Sequence, residues 1–383
     1  MKILVLGAGR MGFGAAFDLI HNSPDVAAVT IADVHAGAAA AAASKIGSAR
    51  ITGFEADAAD LTAMKELMRG HDAVISCVNY WYNESLSRAA IVAGSHFCDL
   101  GGNNYVVDAQ LALDAEAQAA GVSIIPDCGL APGMVSILAM HGAAQFAQLD
   151  EIHIRVGGLP QAPQPPLDYQ LVFSVEGLIN EYIESARVIR RGSIAEVASM
   201  TEIESLSFDG FPPLEAFQTS GGTSTLPDTF LGKVKELDYK TIRYAGHCTK
   251  FKTMIDLGLC SSEPFSADLP QVTPRMVFAE LLQKHLPADG PDLVLVRLEF
   301  KGKIADADQN VTLRYDIVDR SDESAGLSAM MRTTAFPASI IAQMMAGGEV
   351  ARRGSVPQEL AIDPARFVAE LSRRNIELNS YFV

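Results

Sequence analysis

The sequence predicts an α/β chain: an N-terminal parallel sheet with intervening helices, followed by an α+β part built on a mainly antiparallel sheet. Three observations carry this. Short β-prone apolar runs alternate with helix-spaced segments up to about residue 130. From about residue 134 the pattern changes, and several runs alternate apolar with polar residues, as strands with one solvated face do. The chain has 383 residues, 49% hydrophobic and 20% charged, enough for two cores of ordinary globular composition. The expected domains are 1–133 with 335–383, and 134–334.

The first strand, Lys2-Ile3-Leu4-Val5-Leu6, runs directly into Gly7-Ala8-Gly9-Arg10-Met11-Gly12. Ala15, Ala16, Leu19 and Ile20 then recur at helical spacing, and a second strand, residues 27–32, ends in Asp33. Strand, G-x-G-x-x-G, helix, strand and acid make up the fingerprint of a Rossmann dinucleotide site. Gly7 permits the turn, Gly9 leaves room for a pyrophosphate, and Gly12 lets helix and sheet pack closely. Arg10 and Met11 open the helix, whose N-terminal N–H groups suit an anion. Asp33 suits the ribose hydroxyls and opposes a 2′-phosphate, and no arginine follows it (Val34, His35, Ala36), so the cofactor expected is NAD.

Residues 48–57 read as a third strand, with Asp57 at the adenine edge, and 61–69 as a helix. A fourth strand, 72–79, brings Cys77 and Asn79 to the carboxyl edge, where ligands bind in such sheets. A helix over 84–93, strand 95–100, helix 107–119 and strand 122–126 complete the alternation. Beyond it, 134–146 reads as an apolar helix, 151–156 as a strand and 157–167, with four prolines and two glycines, as a loop. A hairpin is expected at 188–197, a helix at 273–285 with Thr273 as N-cap and Pro274 in its first turn, and strands around 296–300 and 311–317. Helical tail segments should return to the first domain.

The net charge of −16 argues against a nucleic-acid or anionic-membrane partner. Cys77, Cys98, Cys128, Cys248 and Cys260 are odd in number and form no C-x-x-C, so no disulfide framework or zinc site is expected, and no other metal spacing occurs. No apolar run is long enough to span a bilayer. The expectation is a cytoplasmic homo-oligomer, associating through its antiparallel sheet and proline-rich loop.

Chemistry-bearing residues gather in polar, glycine-containing clusters. Asp99 and Asp127 each follow a strand at the ligand edge, as acid/base groups, as anchors for an ammonium, or as an Asx-turn residue (Asp99) and a helix cap (Asp127). Residues 219–225 are all hydroxyl side chains and glycines, a carboxylate cradle or a Ser/Thr turn. Lys240 and Arg243 are placed as neighbours on a helix face, with Arg243 as a bidentate carboxylate clamp or a solvated or salt-bridged cation. His247 is a candidate base or a structural histidine.

The glycine fingerprint, these clusters and the blocks at 124–134, 173–178, 213–217, 219–226 and 239–244 together resemble the saccharopine dehydrogenase-like family over nearly the whole chain. In one place the chain departs from the saccharopine reductase branch: Ala131 stands before Pro132-Gly133 where that branch tends to carry an acid. An alanine there fits the lysine 6-dehydrogenase branch, which the chain resembles most. The resemblance implies NAD-linked oxidation of the ε-amine of L-lysine to 2-aminoadipate 6-semialdehyde, which cyclises, with release of ammonia. It implies a base among Asp99, Asp127 and His247, with Lys240 lowering the pKa of the amine. Arg243, Thr223 and Ser224 would take the α-carboxylate and Glu176 the α-ammonium, with Tyr239 in the same pocket. A related amine or amino-acid substrate, or an NAD-binding sensor without turnover, are the alternatives.

Overall fold

A computed structural model of the chain describes residues 1–264, 271–305 and 309–383. In the first sheet, β1 (Lys2–Leu6), β2 (Ala28–Asp33), β3 (Ile51–Glu55), β4 (Ala73–Ser76), β5 (His96–Asp99) and β6 (Ser123–Ile125) lie parallel in the order β6-β5-β4-β1-β2-β3. The order reverses between β1 and β4, which sets the loops after these two strands side by side at the carboxyl edge. Leu4, Leu6, Val74, Phe97 and Ile124, from four adjacent strands of this sheet, share one core with helix residues such as Leu86 and Ala90. The helix expected over 107–119 is two, Asn104–Leu111 and Asp114–Ala120.

The second sheet starts with β7 (Gln148–Pro160), followed by β8 (Ala186–Arg190), β9 (Ser193–Val197), β10 (Glu204–Leu206), β11 (Leu214–Gln218), β12 (Glu236–Tyr244), β13 (Asp292–Lys303) and β14 (Val311–Arg320). Near the end of the chain, β15 (Gly354–Ser355) adds to the first sheet beside β6, and β16 (Asn379–Phe382) pairs with β14. The second sheet runs β10-β11-β12-β7-β13-β14-β16, with the β8–β9 hairpin attached to β12. Every pairing is antiparallel except β12 with β7. The fold is thus a parallel Rossmann-like sheet plus a mixed, mostly antiparallel one.

Two features of the second sheet differ from the sequence expectation. The strand opening at Gln148 continues through Gly157 and Gly158 rather than ending in a loop there. These glycines serve close packing: a Cβ on Gly157 would lie 2.5 Å from the Ile242 carbonyl oxygen, and one on Gly158 2.5 Å from the end of Met330. Nor is the polar face simply wet. Lys240, Arg155 and Arg297 sit in register across β12, β7 and β13, each only 6–7% exposed, because they pair with acids: Arg297 binds Asp316 at 2.7 Å and Arg155 binds Asp238 at 2.8 Å.

The chain forms two compact units, Met1–Ala144 with Met331–Glu377, and Gln145–Met330 with Leu378–Val383. Helix Met134–Ala143 belongs to the first because it packs on helices Gln358–Ala361 and Pro364–Ser372, and the last strand belongs to the second through its pairing with β14. Among the described residues no helix is long and apolar enough to cross a membrane.

Candidate functional site

In the first unit β1 ends against a backbone that only glycine tolerates. Gly7 has φ +92°, and a Cβ there would lie 2.8 Å from the Cys77 carbonyl oxygen. A Cβ on Gly12 would lie 1.7 Å from the Gly7 carbonyl oxygen, so helix Arg10–His21 can approach the turn only without a side chain. At Gly9 the reverse holds: a Cβ would meet nothing within 4 Å, so the backbone at the helix start is openly approachable. No side chain caps this helix and no acid occupies its first turn, where Arg10 and Met11 stand, leaving a positive helix end for an anion. Asp33 ends β2 beside it. Its Oδ2 accepts from the Ala8 N–H at 2.8 Å and its Oδ1 from the His35 N–H at 2.9 Å, so the carboxylate is oriented yet remains part-exposed. Cys77 follows β4, its N–H bonded to the Leu6 carbonyl at 2.7 Å, and Asn79 lies exposed two residues on. Asp57 is exposed and accepts from the Ala59 N–H at 2.9 Å, in the turn that leads to Asp60, the cap of helix Leu61–Met68. These residues form a cradle that fits a dinucleotide.

Asp99 and Asp127 meet at the same sheet edge. The Asp99 carboxylate is fully buried and accepts from Gln110 Nε2 at 2.7 Å, Gly101 N–H at 2.8 Å and Asp127 N–H at 3.3 Å. Burial raises its pKa, and these donors oppose the rise. Its bonds tie together the loops that follow β5 and β6, which gives it an architectural part. Asp127 has φ +61°, and a Cβ on Gly101 would lie 2.1 Å from its Oδ1, so the Gly101 position is what allows its carboxylate to stand there.

In the second unit the clusters assemble on β12, which is a strand and not the helix expected around Lys240 and Arg243. Alternation along a strand puts Tyr239, Thr241 and Arg243 on one face and Asp238 and Lys240 on the other. Lys240 Nζ binds Glu204 at 2.8 Å and the Glu202 carbonyl at 2.7 Å. It is therefore removed from the role of amine perturber beside Arg243.

Arg243 is 3% exposed. Its Nε donates to Tyr182 Oη at 2.8 Å and its Nη1 to the Ile242 carbonyl at 2.9 Å, and its guanidinium lies 4.8 Å from the Tyr169 ring centre. Among the described residues no carboxylate comes within 4.0 Å of it, in contrast to Arg155, Lys240 and Arg297. Burial opposes its charge, but Tyr182, Tyr169 and Glu181 outweigh burial and keep it protonated.

His247 lies at the end of a chain of hydrogen bonds from this guanidinium. Its Nδ1 is 3.0 Å from the Leu167 carbonyl, which only a donor can satisfy, so Nδ1 carries the proton and Nε2 accepts from Tyr182 Oη at 3.1 Å. Burial lowers its pKa to about 3, with Arg243 pushing the same way. The histidine is a neutral prop for Tyr182 and is corrected from its expected role as a base. Glu176, the expected ammonium ligand, stands exposed in the first turn of helix Val175–Ile183 and pairs with Arg275 at 2.6 Å. The acid that reaches the cluster is Glu181 on the same helix. Its Oε1 accepts from Thr241 Oγ1 at 2.6 Å and lies 3.2 Å from Thr219 Oγ1.

The hydroxyl loop is built onto this frame. The Ser220 N–H donates to the Glu181 carbonyl at 3.0 Å, and a Cβ on Gly222 would lie 2.5 Å from the Tyr239 ring. Thr223 Oγ1 donates to the Arg187 carbonyl at 3.0 Å, which uses its only proton, and Ser224 sits at φ +43° in the turn. Thr223 thus shapes the loop rather than donating to a carboxylate. The sequence reading missed Glu181, Tyr169 and Tyr182. A signal existed: Glu181 is an acid set among Leu178, Ile179 and Tyr182, the buried stripe of an amphipathic helix.

Fold and cradle define a dinucleotide-binding protein with a separate polar cluster on a mixed sheet. Residues 3–125 match the model of the saccharopine dehydrogenase NADP binding domain and residues 129–376 that of the saccharopine dehydrogenase C-terminal domain. The chain belongs to the saccharopine dehydrogenase family. It is 25% identical over 260 residues to saccharopine dehydrogenase [NADP(+), L-glutamate-forming] of Pyricularia oryzae, covering 63% of this chain and 55% of that protein. It is 25% identical over 229 residues to the mitochondrial alpha-aminoadipic semialdehyde synthase of Bos taurus, covering 57% of this chain and 24% of the relative. The chain thus aligns with about half of the fungal relative and a quarter of the bovine one. Apo saccharopine dehydrogenase (L-Glu forming) from Saccharomyces cerevisiae superposes with a TM-score of 0.82 at 18% identity, over 100% of this chain and 99% of that one. Homospermidine synthase from Legionella pneumophila, in complex with NAD, gives 0.67 at 12% identity, over 100% and 91%. Both likenesses show the fold.

Proposed function

We propose that this protein is an NAD-dependent dehydrogenase that oxidises the ε-amine of L-lysine. Written in balance, the lysine ε-ammonium, NAD+ and water give 2-aminoadipate 6-semialdehyde, NADH, ammonium and a proton, and the aldehyde closes on its own α-amine. The observation that carries the proposal is Arg243, a buried guanidinium with no carboxylate within 4.0 Å among the described residues. Burying an unpaired charge is costly, and a carboxylate ligand offsets that cost. Saccharopine carries several carboxylates and calls for several such cations. The other buried cations of the second unit, Arg155, Lys240 and Arg297, are already paired, which favours a substrate with one carboxylate. Ala131, in place of an acid, supports the same choice.

NAD supplies the hydride acceptor when bound. Gly7, Gly9, Arg10, Met11 and Gly12 would hold its pyrophosphate and Asp33 its adenosine ribose. The Pyricularia oryzae relative is named for NADP(+); here the Asp33 carboxylate would repel a 2′-phosphate, which favours NAD. The substrate amine must be neutral before its carbon can be oxidised, and free lysine amines titrate near pH ~10.4. Asp127 is our assignment for the group that accepts that proton, because it follows β6 at the carboxyl edge of the sheet that carries the cofactor cradle. Cytoplasmic residence and homo-oligomerisation belong to the same proposal and rest on the sequence.

The test is lysine-dependent NADH formation at alkaline pH, with the cyclised product trapped, run against saccharopine and 1,5-diaminopentane and repeated with NADP. Turnover with saccharopine but not lysine would overturn the assignment.

A further inference from the structure

We propose that Glu181 is the ammonium-binding half of a zwitterion site whose carboxylate-binding half is Arg243, so that the second unit recognises the head group of an α-amino acid. The inference rests on the reading of Arg243 given above and adds the residue that separates an amino acid from a simple carboxylic acid.

Both charges are pinned. Glu181 is half-buried, and its Oε1 is fixed by hydroxyls from separate segments, Thr241 on β12 and Thr219 after β11. The Ser220 N–H holds its backbone carbonyl. Its other oxygen, Oε2, makes no hydrogen bond with any described residue. Acids nearby are used differently. Glu176 pairs with Arg275, Glu204 with Arg155 and Lys240, and Glu202 with Arg190. Glu181 has no cation within 4.0 Å among the described residues, although it is anchored as firmly as any of them.

Glu181 and Tyr182 are consecutive on one helix. The first grips Thr241 and the second grips Arg243, two positions further along β12. Two residues of strand span about 7 Å. A carboxylate and a guanidinium whose anchors lie that close, each with an unused hydrogen-bonding atom, would gain by closing into an ion pair if their purpose were structural. Their anchors instead hold them apart. A molecule bearing a carboxylate and an ammonium on the same carbon satisfies both ends at once. The Tyr169 hydroxyl is buried beside the same guanidinium and adds a polar group to this space.

Binding of ligands that cannot react tests the head group without turnover. L-norleucine carries the α-ammonium and carboxylate but no ε-amine; hexanoate lacks the ammonium as well. The full chain with saturating NAD is titrated calorimetrically with each, for the wild type, Glu181→Gln and Glu181→Asp, alongside thermal melts. We expect the wild type to prefer norleucine by about 10–100-fold, the worth of a charge-assisted hydrogen bond. E181Q should lose most of that preference while binding hexanoate as before, and E181D should keep part of it. If E181Q does not fold, E181D carries the comparison. A wild type that does not prefer norleucine, or a variant that weakens both ligands equally, overturns the proposal. Lysine-dependent NADH formation is measured separately. Its absence would remove the lysine-oxidation reading and leave the norleucine comparison standing.

Discussion

Arg243 and Arg374 are equally buried, each 3% exposed, and differ in their partners. Arg374 binds Asp18 at 2.7 Å, and Glu370 also pairs with it. Among the described residues Arg243 has two hydrogen bonds and no carboxylate within 4.0 Å. The same substitution, arginine to methionine, should therefore act oppositely at the two sites. In R374M the Asp18 carboxylate, fully buried on helix Arg10–His21, loses its counter-charge, which costs about 3–5 kcal/mol. For a unit of this size that is a fall of roughly 6–20 °C in Tm. R243M loses its bonds to Tyr182 and the Ile242 carbonyl, about 1 kcal/mol each, but puts an apolar side chain of similar size where a guanidinium was buried without a direct ion pair among the described residues, an exchange that is often close to neutral. Its melting should lie within a few degrees of the wild type, or above it. Its kcat/KM for lysine should fall by about 2–4 kcal/mol, roughly 30- to 700-fold, because a desolvated charge-assisted contact is lost. Thermal melts without ligand and steady-state kinetics on both variants decide the matter. Equal destabilisation of the two, or an R243M enzyme with unchanged kcat/KM, would refute the view that Arg243 is held charged for a ligand.

Gly12→Ala puts a methyl 1.7 Å from the Gly7 carbonyl oxygen, so NAD affinity measured by fluorescence titration should collapse; retained affinity would remove this turn from the cofactor site. Asp33→Ser should weaken NAD by about 10–100-fold and narrow the preference over NADP, and an unchanged NAD-to-NADP ratio of kcat/KM would count against Asp33 as the ribose ligand. His247 titrates at about 3 in the folded protein against an ordinary value of 6.5. Between these values the unfolded chain binds a proton that the folded chain refuses, so its contribution is full above pH 6.5 and is lost as pH falls towards 3. In denaturant titrations across that window, His247→Gln should flatten the fall in stability. A slope identical to the wild type would show that His247 is not held neutral by the fold.

The glycine turn was legible because its constraint is local: strand, turn and helix follow one another, Gly12 answers to Gly7 a few residues away and Gly7 to the adjacent strand. The antiparallel runs were legible for the same reason, through period-two alternation. Residues 157 and 158 were misread because a glycine signals freedom from a side chain without saying whether the chain needs to turn or to pass close to another backbone. Lys240 and Arg243 were misread through the choice of period. Three apart, they are neighbours on a helix and opposite on a strand, and β12 alternates Tyr239-Lys240-Thr241-Ile242-Arg243 too irregularly in polarity to declare itself, because both of its faces carry charge that is buried. The unpaired state of Arg243 is a property of the folded sheet: it depends on what Glu204, Asp238 and Asp316 do on the other face, where they satisfy Lys240, Arg155 and Arg297. A sheet in which acids among the described residues pair Lys240, Arg155 and Arg297 leaves Arg243 able to bind a carboxylate, and Glu181, pinned beside it by Thr219 and Thr241, sets which carboxylates it accepts.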